Sequence, residues 1–409
     1  MAIRPDHSPT TNARALATDQ GPVPNRTALW HSVRMTEPSD HRVSTLELFF
    51  DLVFVFTVTQ VTEVIDHHPG VAGTAQGLLI LIVLFWMYAG FTWLANAMGT
   101  DGLPQRLTVL AGMAALLLCS QAVPEAFGSS GIAIGIGFLA LTLIHLVGYA
   151  WLAGGGGARA IWRIAPMNVG GALLILAAGW TEGAWDWVLW GTPAALFTWT
   201  LLRSRGAGSF DVRPSHFAER HGLMIIIVLG ESVISIGLAA QAHHLDLYLI
   251  AGCLVGFVAI VGLWWAYFVG DDEVAAEHFA AADPTQQSWM ARMGYNLTHL
   301  LMIAGVIGVA AGTRLGLEDL WASAEPAAAW LIACGAAIYL SATTVFRSVL
   351  RVGPIGARLV GTVVLLATAA VGSILGTAEQ LGAVAVVLAL TLVVETRISS
   401  GAVGSAEQT

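Results

Sequence analysis

Residues 46–65 read LELFFDLVFVFTVTQVTEVI, an apolar stretch of the length that an α-helix needs to cross a bilayer. At about 100° per residue, one face of this helix is acidic at its start, apolar in the middle and polar again near its end, and it carries Glu47, Asp51, Val55, Val58 and Thr62. Gln60 and Glu63 point in other directions. Because polar groups are costly in lipid, we predict that this helix is not surrounded by lipid.

The composition of the whole chain agrees with a membrane location. Hydrophobic residues make up 56% of the 409 residues and charged residues only 11%, whereas a soluble domain carries about 25% charged residues. The 45 glycines fit closely packed transmembrane helices. The chain contains no P-loop, G-x-S-x-G, H-E-x-x-H or C-x-x-C motif, so we predict no enzyme, cofactor, metal site or nucleic-acid partner.

The apolar stretches predict an all-α polytopic membrane protein with about twelve transmembrane helices. The predicted spans are residues 46–65, 75–98, 106–127, 131–153, 161–179, 184–203, 222–241, 246–269, 293–313, 326–346, 357–376 and 379–396. All 18 positively charged residues are arginines, and all but Arg314 fall on the side where the first span begins. The positive-inside rule then predicts a multi-pass protein of the bacterial inner membrane with both termini in the cytoplasm.

Short internal matches predict a duplication of six helices. LFWMYAGF at 84–91 resembles LWWAYFVG at 263–270, and histidine pairs follow the first and seventh spans. Because each half holds an even number of spans, the two halves are predicted to run parallel. The predicted units are a disordered cytoplasmic tail at 1–43, a first half at 44–205, a linker and second half at 206–398, and a cytoplasmic tail at 399–409.

Glu231 lies near the predicted midplane of the seventh span, with Ser235 one turn beyond it. Gly230 and Gly237 on the same helix are predicted to permit close neighbours. No arginine lies in the middle of a predicted span, so Glu231 must be protonated or matched by a mobile cation or proton. This charge pattern favours movement of a proton or cation over movement of an anion.

Further polar residues inside the spans have two interpretations each. His145 with Tyr149, and Asn296 with His299, have spacings that place them on shared helix faces. These side chains either line a path through the membrane or form hydrogen bonds that pack the helices.

Polar groups near the span ends also leave alternatives open. Glu47 and Asp51 form the cytoplasmic mouth or gate of a path, or they cap the helix and pair with Arg42. The histidine pairs at 67–68 and 243–244 are exposed loop residues or an external proton or metal sensor. The acidic segment at 270–292 is a solvated helix or loop, with a metal role for Asp271, Asp272 and His278 as the alternative.

Four motifs resemble the bacterial low temperature requirement protein A family. They are STLELFFDLVFVFTVTQVTEVI at 44–65, HFAERHGLMIIIVLGESVIS at 216–235, LWWAYF at 263–268 and MGYNLTHLLMIAGVI at 293–307. The resemblance runs from about residue 40 to 395, and the chain departs from it at His221, where family members often carry phenylalanine. It implies an integral membrane protein, and the family name records a growth phenotype without a reaction.

The first span also resembles the Arg…Phe-Ser-Asp segment that opens the six-helix repeat of a family of lysosomal and bacterial potassium channels. Arg42 and the Phe-Phe-Asp at 49–51 match that segment, with Phe50 in place of the serine. The resemblance implies that Val55 and Val58 form the apolar constriction of a pore, with Phe50 beside them.

We therefore predict passage of a proton or small monovalent cation between the two halves, by a channel or an ion-coupled transporter. The predicted path consists of Glu231, Asp51, Glu47, Ser235, Thr62, Glu63, His145, Asn296 and His299. The alternative is a non-transporting membrane sensor or scaffold in stress or cold adaptation, in which the carboxylates hold helices together. The predicted partners are the lipid bilayer, the transported ion and, in a homo-oligomer, further copies of the chain.

Overall fold

The computed structural model describes residues 43–203, 212–240, 244, 246–316 and 321–406, with side chains for all of these except 155, 235, 238, 239 and 399–406. Several sequence predictions fall outside the described residues. They concern the N-terminal tail through Arg42, the side chain of Ser235, and His243.

Long helices make up most of the described chain, and within it no β-strand is present. They are α1 (Thr45–His67), α2 (Val71–Met98), α3 (Leu103–Ala122), α4 (Gly131–Leu152), α5 (Gly154–Ala178), α6 (Ala184–Arg203), α7 (Pro214–Ala240), α8 (Leu247–Phe268), α11 (Thr298–Leu315), α12 (Pro326–Leu350), α13 (Gly356–Ile374) and α14 (Thr377–Ala406). Two short helices, α9 (Asp271–Ala281) and α10 (Pro284–Met290), lie between α8 and α11, and a π-helical segment (Ala291–Leu297) joins α10 to α11. Twelve long helices agree with the predicted number of spans.

Ten helical stretches of the described residues are long and apolar enough to cross a membrane. The structure thus confirms an all-α polytopic membrane protein. Three helix bounds differ from the prediction by more than five residues: α5 begins at Gly154 rather than at residue 161, α7 begins at Pro214 rather than at residue 222, and α14 continues to Ala406 rather than ending at residue 396. Proline suits the first turn of a helix, where its missing N–H is not needed. Because α7 begins early, the polar residues 214–221, which we predicted as part of a linker, form the first two turns of this helix.

Glycines permit a close approach between two helices, but they are not the glycines that the sequence pattern selected. A Cβ atom added at Gly335 of α12 would lie 2.6 Å from the carbonyl oxygen of Gly305 in α11, so the two backbones touch there. A Cβ atom at Gly230 or Gly237 would meet no atom of the described residues within 4 Å. The prediction that these two glycines permit close neighbours is therefore wrong.

The helices pair in the same way in the first and second parts of the chain. In the first part α1 packs on α2 and α3, α2 on α4 and α6, and α3, α4, α5 and α6 pack in succession. The same pairings are present in the second part, where α7, α8, α11, α12, α13 and α14 correspond in this order to α1 to α6. Helix α1 also packs on α7 and α11, which joins the two parts.

The predicted polar face of α1 is buried. Glu47, Asp51, Val55, Val58 and Thr62 are each 5% exposed or less. The opposite side carries Phe49 and Leu52, whose side chains are more than half exposed. The helix therefore stands between other helices on one side and faces lipid on the other, as its sequence pattern predicts.

Candidate functional site

Ser44 and the first turn of α1 fix the position of Glu47. The Ser44 hydroxyl oxygen accepts a hydrogen bond from the Glu47 N–H (3.3 Å), and the Glu47 carboxylate accepts from the Ser44 N–H (3.0 Å) and hydroxyl (2.8 Å). This is a capping box, in which two N–H groups at the helix start are satisfied reciprocally. The capping interpretation of Glu47 is thus correct, and Asp51 lies one turn further along the same face.

Two basic side chains of α7, Arg220 and His216, face these carboxylates. The Arg220 Nη2 atom lies 2.9 Å from Asp51 Oδ1, and Nη1 lies 3.3 Å from Glu47 Oε1. His216 Nε2 lies 3.2 Å from Glu47 Oε2. All four side chains are less than 10% exposed. We call these four residues the α1 cluster.

Aromatic rings enclose the α1 cluster. Tyr88 of α2 donates its hydroxyl to Asp51 Oδ1 at 2.9 Å, and its ring stacks on Phe54 with centroids 4.2 Å apart. The Arg220 guanidinium carbon lies 5.7 Å from the centre of the Phe50 ring. Such contacts orient the guanidinium and exclude water from the carboxylates.

The α1 cluster carries more negative than positive charge unless His216 is protonated. It contains two carboxylates and one arginine, and Asp51 Oδ2 is buried without a hydrogen-bond partner in the part of the chain that the structure describes. Buried charge of one sign is costly unless a proton or counter-ion compensates it. The cluster can therefore bind one further positive charge.

The position of Arg220 differs from the prediction. The sequence pattern assigned Arg220 to the linker before the seventh span, but Arg220 lies within α7 and is 1% exposed. The predicted partner, Arg42, lies outside the described residues. One feature of the sequence could have indicated this pairing. His216 and Arg220 are four residues apart, as Glu47 and Asp51 are, so each pair lies on one face of its helix and the two pairs can meet when the helices pack.

A second buried ion-pair cluster joins the later helices. Arg347 of α12 contacts Asp271 and Glu395, while Arg358 of α13 lies 2.9 Å from Asp271 and 2.8 Å from Glu395. We call these four residues the α12 cluster. It has two positive and two negative side chains, so it is balanced without any further ion.

The α12 cluster corrects the prediction for the acidic segment at 270–292. Asp271 is only 5% exposed and pairs with arginines, so this part is not simply solvated. The His278 Nδ1 atom lies 2.8 Å from the carbonyl oxygen of Leu350, which ties α9 to the end of α12. Among the described residues no group of three or more histidine, cysteine, aspartate or glutamate side chains is arranged to hold a metal ion.

The structure brings two predicted residues, Asn296 and His299, together with His221. The His221 Nε2 atom lies 3.3 Å from Asn296 Oδ1, and its ring centre lies 4.9 Å from that of His299. The π-helical segment turns Asn296 toward α7, and such segments are frequent at functional sites. His299 Nε2 in turn lies 3.0 Å from the hydroxyl of Tyr267. A chain of buried polar groups therefore follows α7 away from the α1 cluster.

In the part of the chain that the structure describes, His145 makes no hydrogen bond to that chain of groups, although it lines the same cavity as Asn296. It is 2% exposed, and its ring meets Tyr149 edge-on with centroids 5.1 Å apart, as their spacing predicts. Within the described residues neither ring nitrogen of His145 has a hydrogen-bond partner. The imidazole lies against the backbone of Gly90 and lines a cavity between helices.

The remaining predicted residues lie at several depths. Glu231 is 8% exposed in the middle of α7. Thr62 donates its hydroxyl to the carbonyl oxygen of its own helix at Val58, and Glu63 beside it is half-buried. Near this end of α1 an open cavity of about 360 Å³ is lined by His68, Gln76 and Glu125, among others.

The three predicted constriction residues belong to the hydrophobic core. Phe50, Val55 and Val58 are each 5% exposed or less, and Phe50 stacks against Phe91 with ring centres 5.3 Å apart. An apolar barrier thus separates the α1 cluster from the far end of α1.

Comparison with known protein families identifies the family of this membrane protein. Residues 42–394 match the model of the bacterial low temperature requirement A protein, LtrA. The chain belongs to this family. The match confirms the resemblance seen in the sequence motifs and covers both ion-pair clusters except Glu395.

An uncharacterized protein of Rhizobium meliloti (strain 1021) is similar to this LtrA-family chain. The two sequences are 26% identical over 302 residues, which is 70% of this chain and 72% of the other protein. This similarity agrees with the family assignment and adds no activity.

Proposed function

We propose that this LtrA-family membrane protein moves a proton, or a small monovalent cation, across the membrane along the contact between α1, α7 and α11. The observation that supports this function is the charge of the α1 cluster, where, among the described residues, Glu47 and Asp51 face one arginine, Arg220. A proton or cation that binds reversibly would compensate the excess negative charge of this cluster. The family itself is not a known enzyme family, and the proposal requires no chemical step.

The packing favours a proton over a hydrated cation. The side chains of Asp51 and Arg220 are 0% and 2% exposed, and aromatic rings close the space around them. A cation would need several oxygen ligands in place of its water shell, whereas a proton needs only an acceptor such as His216 or a carboxylate oxygen. Asp51 Oδ2 is such an acceptor.

The proposed route continues from the α1 cluster along α7. His221, Asn296 and His299 supply hydrogen-bonding groups next to it. Glu231 lies eleven residues beyond Arg220, which corresponds to roughly 16 Å along the helix axis. We place Glu231 as the acceptor near the middle of the membrane, beyond the first apolar barrier.

Orientation and internal symmetry form part of the same proposal. The excess of arginines on the side where α1 begins supports a cytoplasmic location for that side and for both termini, in a bacterial inner membrane. The repeated helix pairings support two parallel six-helix halves, and so do the contacts between the first turns of α1 and α7.

Flux measurements in proteoliposomes test the proposed function. Purified protein is reconstituted with a pH-sensitive dye inside the vesicles, and H⁺, K⁺ and Na⁺ gradients are imposed in turn. We expect proton flux that falls at least tenfold in Asp51→Asn and Glu231→Gln. The matched control is Glu395→Gln, which removes a carboxylate of the same burial from the balanced α12 cluster and should leave flux per folded protein unchanged.

Two results would count against proton transport. The proposal fails if the wild-type protein moves none of the three ions, or if Asp51→Asn and Glu395→Gln reduce flux equally. A flux of K⁺ without H⁺ would replace the proton with a cation.

A non-transporting sensor or scaffold is the second candidate, and one observation favours it. Phe50, Val55 and Val58 are packed into the core, so no open constriction lies beside α1 in this conformation. In that case the α1 cluster only holds α1 to α7. The scaffold predicts that stability changes in the Asp51 variant while the vesicles remain ion-tight.

A further inference from the structure

A cavity of about 190 Å³ opens between helices, and none of the four residues of the α1 cluster lines it. Its walls come from α2, α4, α5 and α6, and the π-helical segment and α11 close one side with Asn296 and Leu300. One bound water needs roughly 10–15 Å³ measured in the same way, so the space admits a much larger group.

The walls of the cavity are mainly apolar and aromatic. They include Phe85, Trp86, Ile164, Phe197 and Leu300. Trp86 donates its Nε1–H to Asn168 Oδ1 at 3.0 Å, which fixes two of the wall residues in place. A flexible hydrocarbon chain fits such a surface, while a hydrated inorganic ion does not.

The polar part of the lining is cationic or neutral. Both charged residues are arginines: Arg163 of α5 is exposed and Arg292 is half-buried. His145 adds a buried imidazole whose nitrogens have no hydrogen-bond partner in the described part of the chain. The cavity thus combines an apolar interior with positive charge and a polar group that lacks a ligand.

We propose that this cavity binds one anionic phospholipid of the surrounding bilayer. One acyl chain lies between α2, α4, α5 and α6, and the phosphate contacts Arg163 and Arg292. Basic pockets between transmembrane helices bind anionic lipid headgroups by this combination. Arg163 and Arg292, which would contact the phosphate, lie on the side of the membrane where the arginines are in excess. On the same side, Trp162 of α5 and Trp199 of α6 are exposed to the lipid.

Lipid titration of delipidated protein in detergent tests the site. Phosphatidylglycerol is compared with phosphatidylcholine of the same acyl chains and with inorganic phosphate, and bound lipid is counted by native mass spectrometry. We expect retention of one phosphatidylglycerol with at least tenfold preference over phosphatidylcholine, and no effect of phosphate. Arg163→Gln with Arg292→Gln should abolish that preference.

Two further variants keep the test independent of folding. Arg203→Gln removes an arginine at the same end of the bundle that does not line the cavity and instead stacks on Trp199 at 4.1 Å, so it should bind like wild type. Ala160→Phe fills the cavity without removing charge and should lower retention of either lipid. The proposal is overturned if both lipids bind equally to wild type, if phosphate reproduces the effect, or if the double arginine variant keeps its preference.

Discussion

Replacing Arg220 by methionine tests whether the α1 cluster depends on its single arginine. The guanidinium lies 2.9 Å from Asp51 and 3.3 Å from Glu47, and all three side chains are 3% exposed or less. Methionine matches the apolar length of the side chain but leaves two carboxylates facing each other without an arginine.

The expected loss follows from that geometry. Removing one partner of a buried ion pair costs about 3–5 kcal/mol, because the other charge stays buried. Here one arginine serves two carboxylates, so we expect Arg220→Met to lower the free energy of unfolding by an amount at the upper end of that range. Adding Asp51→Asn to Arg220→Met removes one of the uncovered charges and should recover about 1–3 kcal/mol.

The free energies are measured by reversible titration with sodium dodecyl sulfate in mixed micelles, followed by tryptophan fluorescence. Arg347→Met is the matched control, since Arg347 also contacts two buried carboxylates, in the α12 cluster. It should be destabilising too, but Asp51→Asn should not rescue it, because distant substitutions add within about 0.5 kcal/mol.

Two outcomes would refute this reasoning about Arg220. One is an Arg220→Met protein within about 1 kcal/mol of wild type. The other is an Asp51→Asn substitution that lowers stability equally in the wild-type and Arg220→Met backgrounds, since the two side chains would then not be coupled.

Two further substitutions test the packing and the capping of the helices. Gly335→Ala should lower the free energy of unfolding by about 1–3 kcal/mol, because its Cβ would lie 2.6 Å from the carbonyl oxygen of Gly305. The control Gly230→Ala should not lower it. Equal unfolding midpoints of the two variants in a detergent titration would contradict the close contact at Gly335. Ser44→Ala should cost about 1 kcal/mol through loss of the capping box with Glu47, and amide exchange in the first turn of α1 should rise; unchanged exchange there would contradict the cap.

The burial of α1 could be predicted because it depends on local periodicity. Glu47, Asp51 and Val58 repeat at helical spacing, so their common face follows from the sequence alone. The depth of each residue follows equally from the rise of the helix. For the same reason the structure confirms the number of long helices, while the start of α7 shifts to Pro214.

The partners of Glu47 and Asp51 could not be obtained in the same way. They lie on α7, about 170 residues further along the chain, and the pairing depends on how two helices pack. The sequence around Arg220 is polar, so the positive-inside count assigned Arg220 to the loop before the seventh predicted span. A buried ion pair makes that polar segment compatible with a helix, so tertiary contacts override the local composition.

The contrast between the two buried clusters separates a structural role from a functional one. The α12 cluster pairs Arg347 and Arg358 with two carboxylates, and it is balanced whatever the state of any histidine. Among the described residues, the α1 cluster combines two carboxylates with one arginine, so these charged side chains do not balance. A protein that needed only to hold α1 against α7 would be served by the balanced arrangement, which it already builds elsewhere. The unbalanced cluster therefore supports the proposed function, in which the charge of this site changes while the protein works, and its place between α1 and α7 puts that change where alternate helix packing would sense or transmit it.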